Sequence, residues 1–182
     1  MIDKEKTLWF PMRVTYNREL TIKEGLDKQG IENFLPMKYV FIDKEGNTKR
    51  EKVPALHNLI FIHASQNIID DLKRYNQFKP LRYIPNRIRP ESGEHYLLVP
   101  DKQMEQFMKV ALADDSRVMF LDYNEEFFAK PGQKVEVCEG PFKGVEGKIK
   151  RIKKNRHVVV EIEGVAAVAI AYVPTQFLKI VT

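Results

Sequence analysis

The residues of this 182-residue chain best suited to catalysis or metal binding are four histidines, one cysteine and two Asp-Asp pairs. Their spacing points away from both. His57, His63, His95 and His157 do not follow metal-ligand spacing. His57 and His63 would share one face of a strand but stand about 20 Å apart along it. Cys138 is alone, which excludes a disulfide framework and a cysteine-based metal site. It fits a small, buried strand residue. Asp70-Asp71 and Asp114-Asp115 sit in or beside helical stretches with no partner base, and no Gly-rich phosphate loop is present. No enzyme, cofactor or metal centre is expected, and what remains is the chemistry of binding.

Three groups of residues could do that. Arg82, Arg87 and Arg89, with Tyr83 among them, combine phosphate-pairing guanidinium groups with a stacking ring, which suits single-stranded nucleic acid. They read equally as solvated loop charges. Lys148–Arg156 holds Lys148, Lys150, Arg151, Lys153, Lys154 and Arg156 with no acid. This is either an electrostatic footprint for nucleic acid or an acidic protein, or the solvated side of a strand pair. Met104, Phe107, Met108, Ala111 and Leu112 recur at helical spacing. Such a stripe is either core or an adaptable apolar patch that a helical partner can fill.

The whole chain carries a net charge of +5, mildly basic. Residues before Tyr123 contribute 20 basic and 18 acidic groups, and the remainder 10 and 7, so the tail is more basic per residue. A hydrophobic fraction of 43%, with eleven Phe, seven Tyr and one Trp, is enough for packed cores. Met1–Thr7 is charged and no run reaches the roughly 18 apolar residues of a membrane span. A cytoplasmic protein is expected.

The elements that must position these groups follow from local pattern. Leu8–Val14 reads as a strand, with Pro11 marking an edge or bulge. Glu19–Gln29 reads as a helix ended by Gly30. Ile31–Ile42 is mostly extended, Asp43–Asn47 is a hairpin turn, and Thr48–Val53 is a strand or loose loop. Leu56–His63 contains the central strand Leu59-Ile60-Phe61-Ile62. Asn67–Tyr75 is helical, Leu81–Ile88 is extended, and Tyr96–Val99 is a short strand or extended lead-in. Asp101 caps a last helix, and Val118–Leu121 suits a further strand. This is an α+β sandwich over residues 1–122. Polar Tyr123–Pro131 reads as a linker. From residue 132 the chain turns to short strands: Lys134–Glu139, Val145–Ile152, His157–Ile162 and Phe177–Val181. Val165–Val173 is ambiguous, since alanine favours helix and valine strand; its setting makes it a strand.

Between the first two of these strands lies Glu139-Gly140-Pro141-Phe142-Lys143-Gly144. Gly140 supplies positive φ and Pro141 a preset corner, Phe142 folds back as an anchor, and Gly144 releases the chain. Strand, Gly-Pro-aromatic-basic-Gly turn, strand, basic turn and strand resemble the KOW motif, an SH3-like β-barrel of transcription elongation factors and some ribosomal proteins. The front resembles the NusG N-terminal domain: a strand with Trp9-Phe10, a helix, an extended piece reaching Pro36-Met37, a hairpin, and Asn58-Leu59-Ile60-Phe61-Ile62. Val99-Pro100 before the last helix is more similar to specialised antiterminator paralogues of the RfaH and UpxY types than to the housekeeping factor.

The resemblance implies a transcription antitermination or elongation factor, monomeric. Its N-terminal domain would bind the clamp helices of RNA polymerase, and its barrel would recruit a further factor such as ribosomal protein S10 or Rho. The polymerase-facing surface would hold Phe61, Met104 and Phe107, with Leu59, Arg13 and Met108 by neighbourhood. Arg82, Arg87 and Arg89 would meet an exposed non-template DNA strand. Partner binding by the barrel would use Gly140, Pro141, Phe142, Lys143, Gly144, Lys148, Lys150 and Arg151. The chain departs from the family at Leu56-His57-Asn58-Leu59, where only Asn58 matches an aromatic-Pro-Gly/Asn-Tyr entry, and at Arg13, where an apolar residue is expected. Two alternatives stand beside this reading: the housekeeping factor, and a ribosomal or RNA-binding KOW protein.

Overall fold

A computed structural model describes residues 4–44 and 46–181. Met1–Asp3, Glu45 and Thr182 lie outside them, so the charged start and the Asp43–Asn47 turn are described only in part. The chain forms two compact units, Met1–Pro100 and Asp101–Thr182. An α/β unit comes first, as expected, and a β-sheet unit of SH3 type second; the second also takes in the last helix and the Val118–Leu121 strand, both expected with the first.

In the first unit, β1 (Leu8–Val14), α1 (Glu19–Lys28), β2 (Asn33–Phe34), β3 (Met37–Lys44), β4 (Asn47–Pro54), β5 (Leu59–Ala64), α2 (Gln66–Leu72) and β6 (Leu81–Tyr83) follow in order. The main sheet runs β2-β5-β1-β6, and β3 and β4 form a separate two-stranded ribbon. Side chains alternate across a strand. Phe10, Met12 and Val14 of β1 and Ile60, Ile62 and Ala64 of β5 therefore share one face. That face joins Ile22 and Leu26 of α1 and Ile69 and Leu72 of α2 in a single core. Each fully buried Leu, Ile or Phe there contributes about 1.5–3 kcal/mol.

β1 is an interior strand, not the edge that Pro11 suggested. Its neighbour on one side is interrupted instead. Trp9 bridges to Val99, and pairing with β6 begins only at Met12. Pro11 has the parity of Trp9, so its nitrogen falls in that gap, where no ladder bond is lost. The long extended piece expected over Leu81–Ile88 is also shorter. Regular pairing stops at Tyr83, and isolated bridges at Pro85↔Tyr96 and Trp9↔Val99 replace a strand at Tyr96–Val99.

The entry to β5 explains why Asn58 stands where it does. Its φ is 55°, a left-handed value that side-chain sterics disfavour outside Gly, Asn and Asp. Its N–H donates to Glu19 Oε1 at 2.9 Å, and Glu19 is 5% exposed. Its carbonyl accepts from Val14 N at 3.0 Å. Asn58→Val is expected to cost about 1–2 kcal/mol through φ alone, whereas Asn58→Gly stays near neutral. Urea unfolding midpoints of the two variants check this.

The second unit holds α3 (Asp101–Ala111), β7 (Val118–Asp122), α4 (Glu125–Ala129), β8 (Gln133–Val137), β9 (Glu146–Ile152), β10 (Asn155–Ile162), β11 (Ala166–Ala171) and β12 (Leu178–Ile180). Its sheet order is β12-β8-β9-β10-β11-β7. The ambiguous Ala-rich segment is a strand, β11, paired to β10 and β7 and buried along its whole length. A strand covered on both faces reads as a continuous apolar run. Ala167 and Ala169 pack with Val159 against Met119, Leu121, Phe127 and Phe128. Two of those partners lie in the stretch read as a linker, which folds as α4. Asn124 caps it, accepting from Phe127 N at 2.9 Å.

Candidate functional site

Most of the apolar stripe of α3 is turned inward, but Leu112, expected in it, lies past the end of the helix and is 70% exposed. Met104 and Phe107 have no exposed surface, Val110 and Ala111 are buried, and Met108 is half-buried. The covering surface within this unit is β10, β11 and β7. Polar side chains beside the stripe latch the helix to the barrel. Gln103 Nε2 donates to the Glu161 carbonyl at 2.8 Å, and Gln106 Oε1 accepts from Glu146 N at 2.9 Å. Lys109 Nζ donates to the Lys143 carbonyl at 2.6 Å, and Lys102 pairs with Glu146 at 3.0 Å. These polar latches were not read from the sequence. The signal for them is a pair of glutamines three apart on the border of the stripe, where a solvated helix more often carries charge.

The Gly-Pro-Phe-Lys-Gly turn has the expected geometry. Gly140 and Gly144 take φ of 81° and 80°, and Phe142 folds back to 3% exposure. Pro141 and Lys143 are exposed. Lys143 and Gly144 are engaged through their carbonyls, by Lys109 and, at 3.4 Å, Gln106. Arg117 lies over the Phe142 ring, 5.3 Å from its centroid.

The basic run behaves differently at each position. Arg151 is exposed, as a footprint requires. The Lys150 side chain is only 2% exposed. Its Nζ donates to the carbonyls of Phe127 and Phe128 at 3.0 and 3.1 Å, beside both rings. It also lies 2.5 Å from Glu161 Oε1, a charge contact whose angle leaves that oxygen without a directed hydrogen bond. Lys148 takes the other oxygen of Glu161 at 2.8 Å. Lys150 therefore clamps the end of α4 to the barrel, and the solvated basic face expected around it loses its centre. Strand parity hid this, because a lysine on the inner face of β9 is unusual without a buried acid opposite.

In the first unit, the sheet face opposite the core brings together residues from two of the expected groups. Arg13 pairs across strands with Leu59 on one side and with Arg82 on the other. Leu59 is 5% exposed and Phe61 has no exposed surface, its ring tilted against Phe34 at 6.4 Å. Arg13 and Arg82 are exposed, so two cations stand directly opposite each other. Like charges so placed repel, which favours an anionic partner. Arg82 Nη1 is meanwhile held by the carbonyls of Lys79 and Leu81.

Arg87 and Arg89 are exposed on the loop after Pro85. Asn86 shapes that loop, donating to the carbonyls of Arg89 and Glu94 and accepting from Arg89 N. Tyr83, expected to interleave with these arginines, is already engaged. It stacks on Tyr96 at 4.1 Å, donates to Asp70 at 2.8 Å, and has Lys73 4.5 Å from its ring centroid. Burial, and then the Asp70 carboxylate, push its hydroxyl well above the usual tyrosine range. Its ring belongs to the fold and is not a platform for a base.

Asp115 and Arg117 lie in the turn just before β7. Arg117 donates to Asp115 through its side chain at 2.9 Å and through its backbone N–H at 2.9 Å. These bonds, the side chain's first, hold the Asp115 carboxyl at about 2 against an ordinary 3.8. The folded value is the lower one, so the stabilisation is complete above 3.8 and is lost as pH falls toward 2. Urea midpoints are expected to fall more steeply over that window in the parent than in Asp115→Asn. Equal slopes would show that the pair adds nothing.

Among the described residues, no group of His, Cys, Asp and Glu could hold a metal ion, and no helix is long and apolar enough to cross a membrane. The family model described as Transcription termination factor nusG matches residues 7–108, and the one described as KOW motif matches residues 131–163. No curated protein sequence matches. A solved structure, "Domain interaction in Thermotoga maritima NusG", is similar at 16% identity and a TM-score of 0.47, over 98% of this chain and 99% of that one.

Proposed function

This chain belongs to the NusG family of transcription factors, and on that premise we propose that it is a specialised antitermination factor of the RfaH and UpxY type. Members of the family are non-enzymatic and bind RNA polymerase. The observation that carries the reading is the ordered pair of matches, 7–108 and 131–163. The specialised reading is supported by the altered strand entry Leu56-His57-Asn58-Leu59, by Arg13, and by Val99-Pro100 before α3.

In this proposal residues 1–122 form the polymerase-binding part, 123–131 the connection and 132–182 the recruiting barrel. The family match extends through most of α3, which supports a functional boundary later than the compact one at Pro100. Arg13, Leu59, Phe61, Met104, Phe107 and Met108 would face the clamp helices. Arg82, Arg87 and Arg89 would meet the non-template strand, and the turn with Arg151 would take S10 or Rho. Leu59, Phe61, Met104 and Phe107 are all buried, so their contact with polymerase requires what covers them to move; for Met104 and Phe107 that is α3 leaving the barrel. The latches of Gln103, Gln106 and Lys109 are the bonds such a release breaks.

The ribosomal or RNA-binding alternative draws on Lys148–Arg156, and the internal engagement of Lys148 and Lys150 weakens it. Single-round transcription by RNA polymerase from the same cell tests the proposal. The full chain is expected to raise readthrough of a terminator on its target template and to leave unrelated templates unchanged. Equal effects on all templates would indicate the housekeeping role, and no effect on pausing or readthrough would overturn both.

A further inference from the structure

The ribbon of β3 and β4 has two unlike faces. Strand alternation and the register Tyr39↔Lys52 and Phe41↔Arg50 put two aromatics and two cations on one of them. Phe41 is 75% and Tyr39 45% exposed. Arg50 and Lys52 are exposed as well. The Arg50 guanidinium lies 3.6 Å from the Tyr39 ring centroid, and Lys52 Nζ 5.7 Å from it. The opposite face carries half-buried Val40, Ile42 and Val53 together with Lys38, Lys49 and Glu51. Met37–Pro54 holds five basic residues against three acidic ones. Asp43 is the one acid on the aromatic face, at its turn end.

A phenylalanine this exposed gains nothing from the fold, and a two-stranded ribbon outside any larger sheet is only marginally stable alone. Met37, at the base of the aromatic face, packs on the core and anchors that end of the ribbon. Phe41 has no such packing to account for it, and the Tyr39 ring beside it carries the Arg50 guanidinium. Flat π surfaces alternating with cations offer stacking to unpaired bases and charge to the phosphates between them. A ribbon reading a duplex groove would need donors and acceptors for base edges, and Phe41 has none. An acidic protein would be met by cations alone and gives no use to Phe41 and Tyr39.

We propose that the face formed by Tyr39, Phe41, Arg50 and Lys52 is a binding site for single-stranded nucleic acid. It is separate from the Arg82, Arg87 and Arg89 loop, and it does not rest on the polymerase reading.

Fluorescence anisotropy of the full chain with a labelled single-stranded DNA oligonucleotide, and with its duplex, tests the site. Phe41→Ala is expected to weaken single-strand binding about tenfold, with a smaller loss on the duplex. Arg50→Ala/Lys52→Ala is expected to reduce the salt dependence of log K by about 1.4, two phosphate contacts. Phe41→Trp keeps the affinity, and its fluorescence is quenched by the oligonucleotide. That quenching reads stacking directly even if Phe41→Ala loosens the ribbon. The control Lys23→Ala/Lys28→Ala on α1 leaves binding unchanged. No single-strand binding by the parent chain, unchanged affinity in both ribbon variants, or absent quenching would overturn the site. An equal or larger loss on the duplex would overturn its assignment to single strands.

Discussion

Phe107→Ala is expected to cost the second unit about 3–5 kcal/mol, the range for removing a buried ring. That is a large part of the roughly 5–15 kcal/mol that holds a typical domain folded. The ring has no exposed surface and lies on the face α3 turns to β10, β11 and β7. The loss should not spread evenly. The barrel strands keep their backbone pairing from β12 through β7, whereas α3 is held only by packing and side-chain latches. Hydrogen exchange should therefore speed up in Asp101–Ala111 before it does in β9–β11. Uniform acceleration would show that α3 and the barrel open as one cooperative unit, and would count against a helix that detaches. Gln106→Ala/Lys109→Ala supplies the matching test. It loosens the same helix but keeps Met104 and Phe107, so polymerase binding is expected to strengthen. In Phe107→Ala the helix is loosened and the proposed contact is lost, so binding is expected to weaken.

Lys150→Ala is the second large effect, also about 3–5 kcal/mol, because it breaks a buried charge pair by removing one partner. It leaves Glu161, whose side chain is 10% exposed, with Lys148 as its remaining cation. It also strips the carbonyls of Phe127 and Phe128 of their donor. An unsatisfied buried acceptor alone costs about 1–3 kcal/mol. The diagnostic variant is Lys150→Met/Glu161→Leu. Removing both charges and refilling the space should recover more than half of the loss, since a buried ion pair often does no better than an apolar pair of similar volume. Urea midpoints read both variants. If the double variant is no more stable than Lys150→Ala, the clamp on α4 acts through the carbonyl bonds and not through the charge pair.

Much of the architecture was legible because its signals are local. Positive φ at Gly140, the alternation through β8, the β-branched run of β10, and the breaks at Gly30 and Pro36 need only neighbouring residues. Leu59-Ile60-Phe61-Ile62 was legible as a central strand because an apolar run that short can only be covered on both faces. Tyr123–Pro131 was harder. Its charge suggested a linker, while Phe127 and Phe128 make it a packed helix, and nothing nearby in sequence announces the alanines of β11 that receive them. Pro11 misled for the same reason. It reports that one ladder bond is missing, not that a strand has no neighbours.

The sequence by itself determined the order of the main strands and helices apart from α4, the Gly-Pro-Phe-Lys-Gly turn, the absence of catalytic spacing and the family resemblance later matched over residues 7–108 and 131–163. These rest on backbone sterics and on periodicity, which act over a few residues. Only the tertiary structure decided which way side chains of one type face. It turned the α3 stripe into the barrel, buried Lys150 against Glu161 while leaving Arg151 in solvent, and set Tyr83 against Tyr96 while leaving Phe41 exposed. Burial and charge pairing join residues far apart in the chain, and no pattern within one segment encodes the partner.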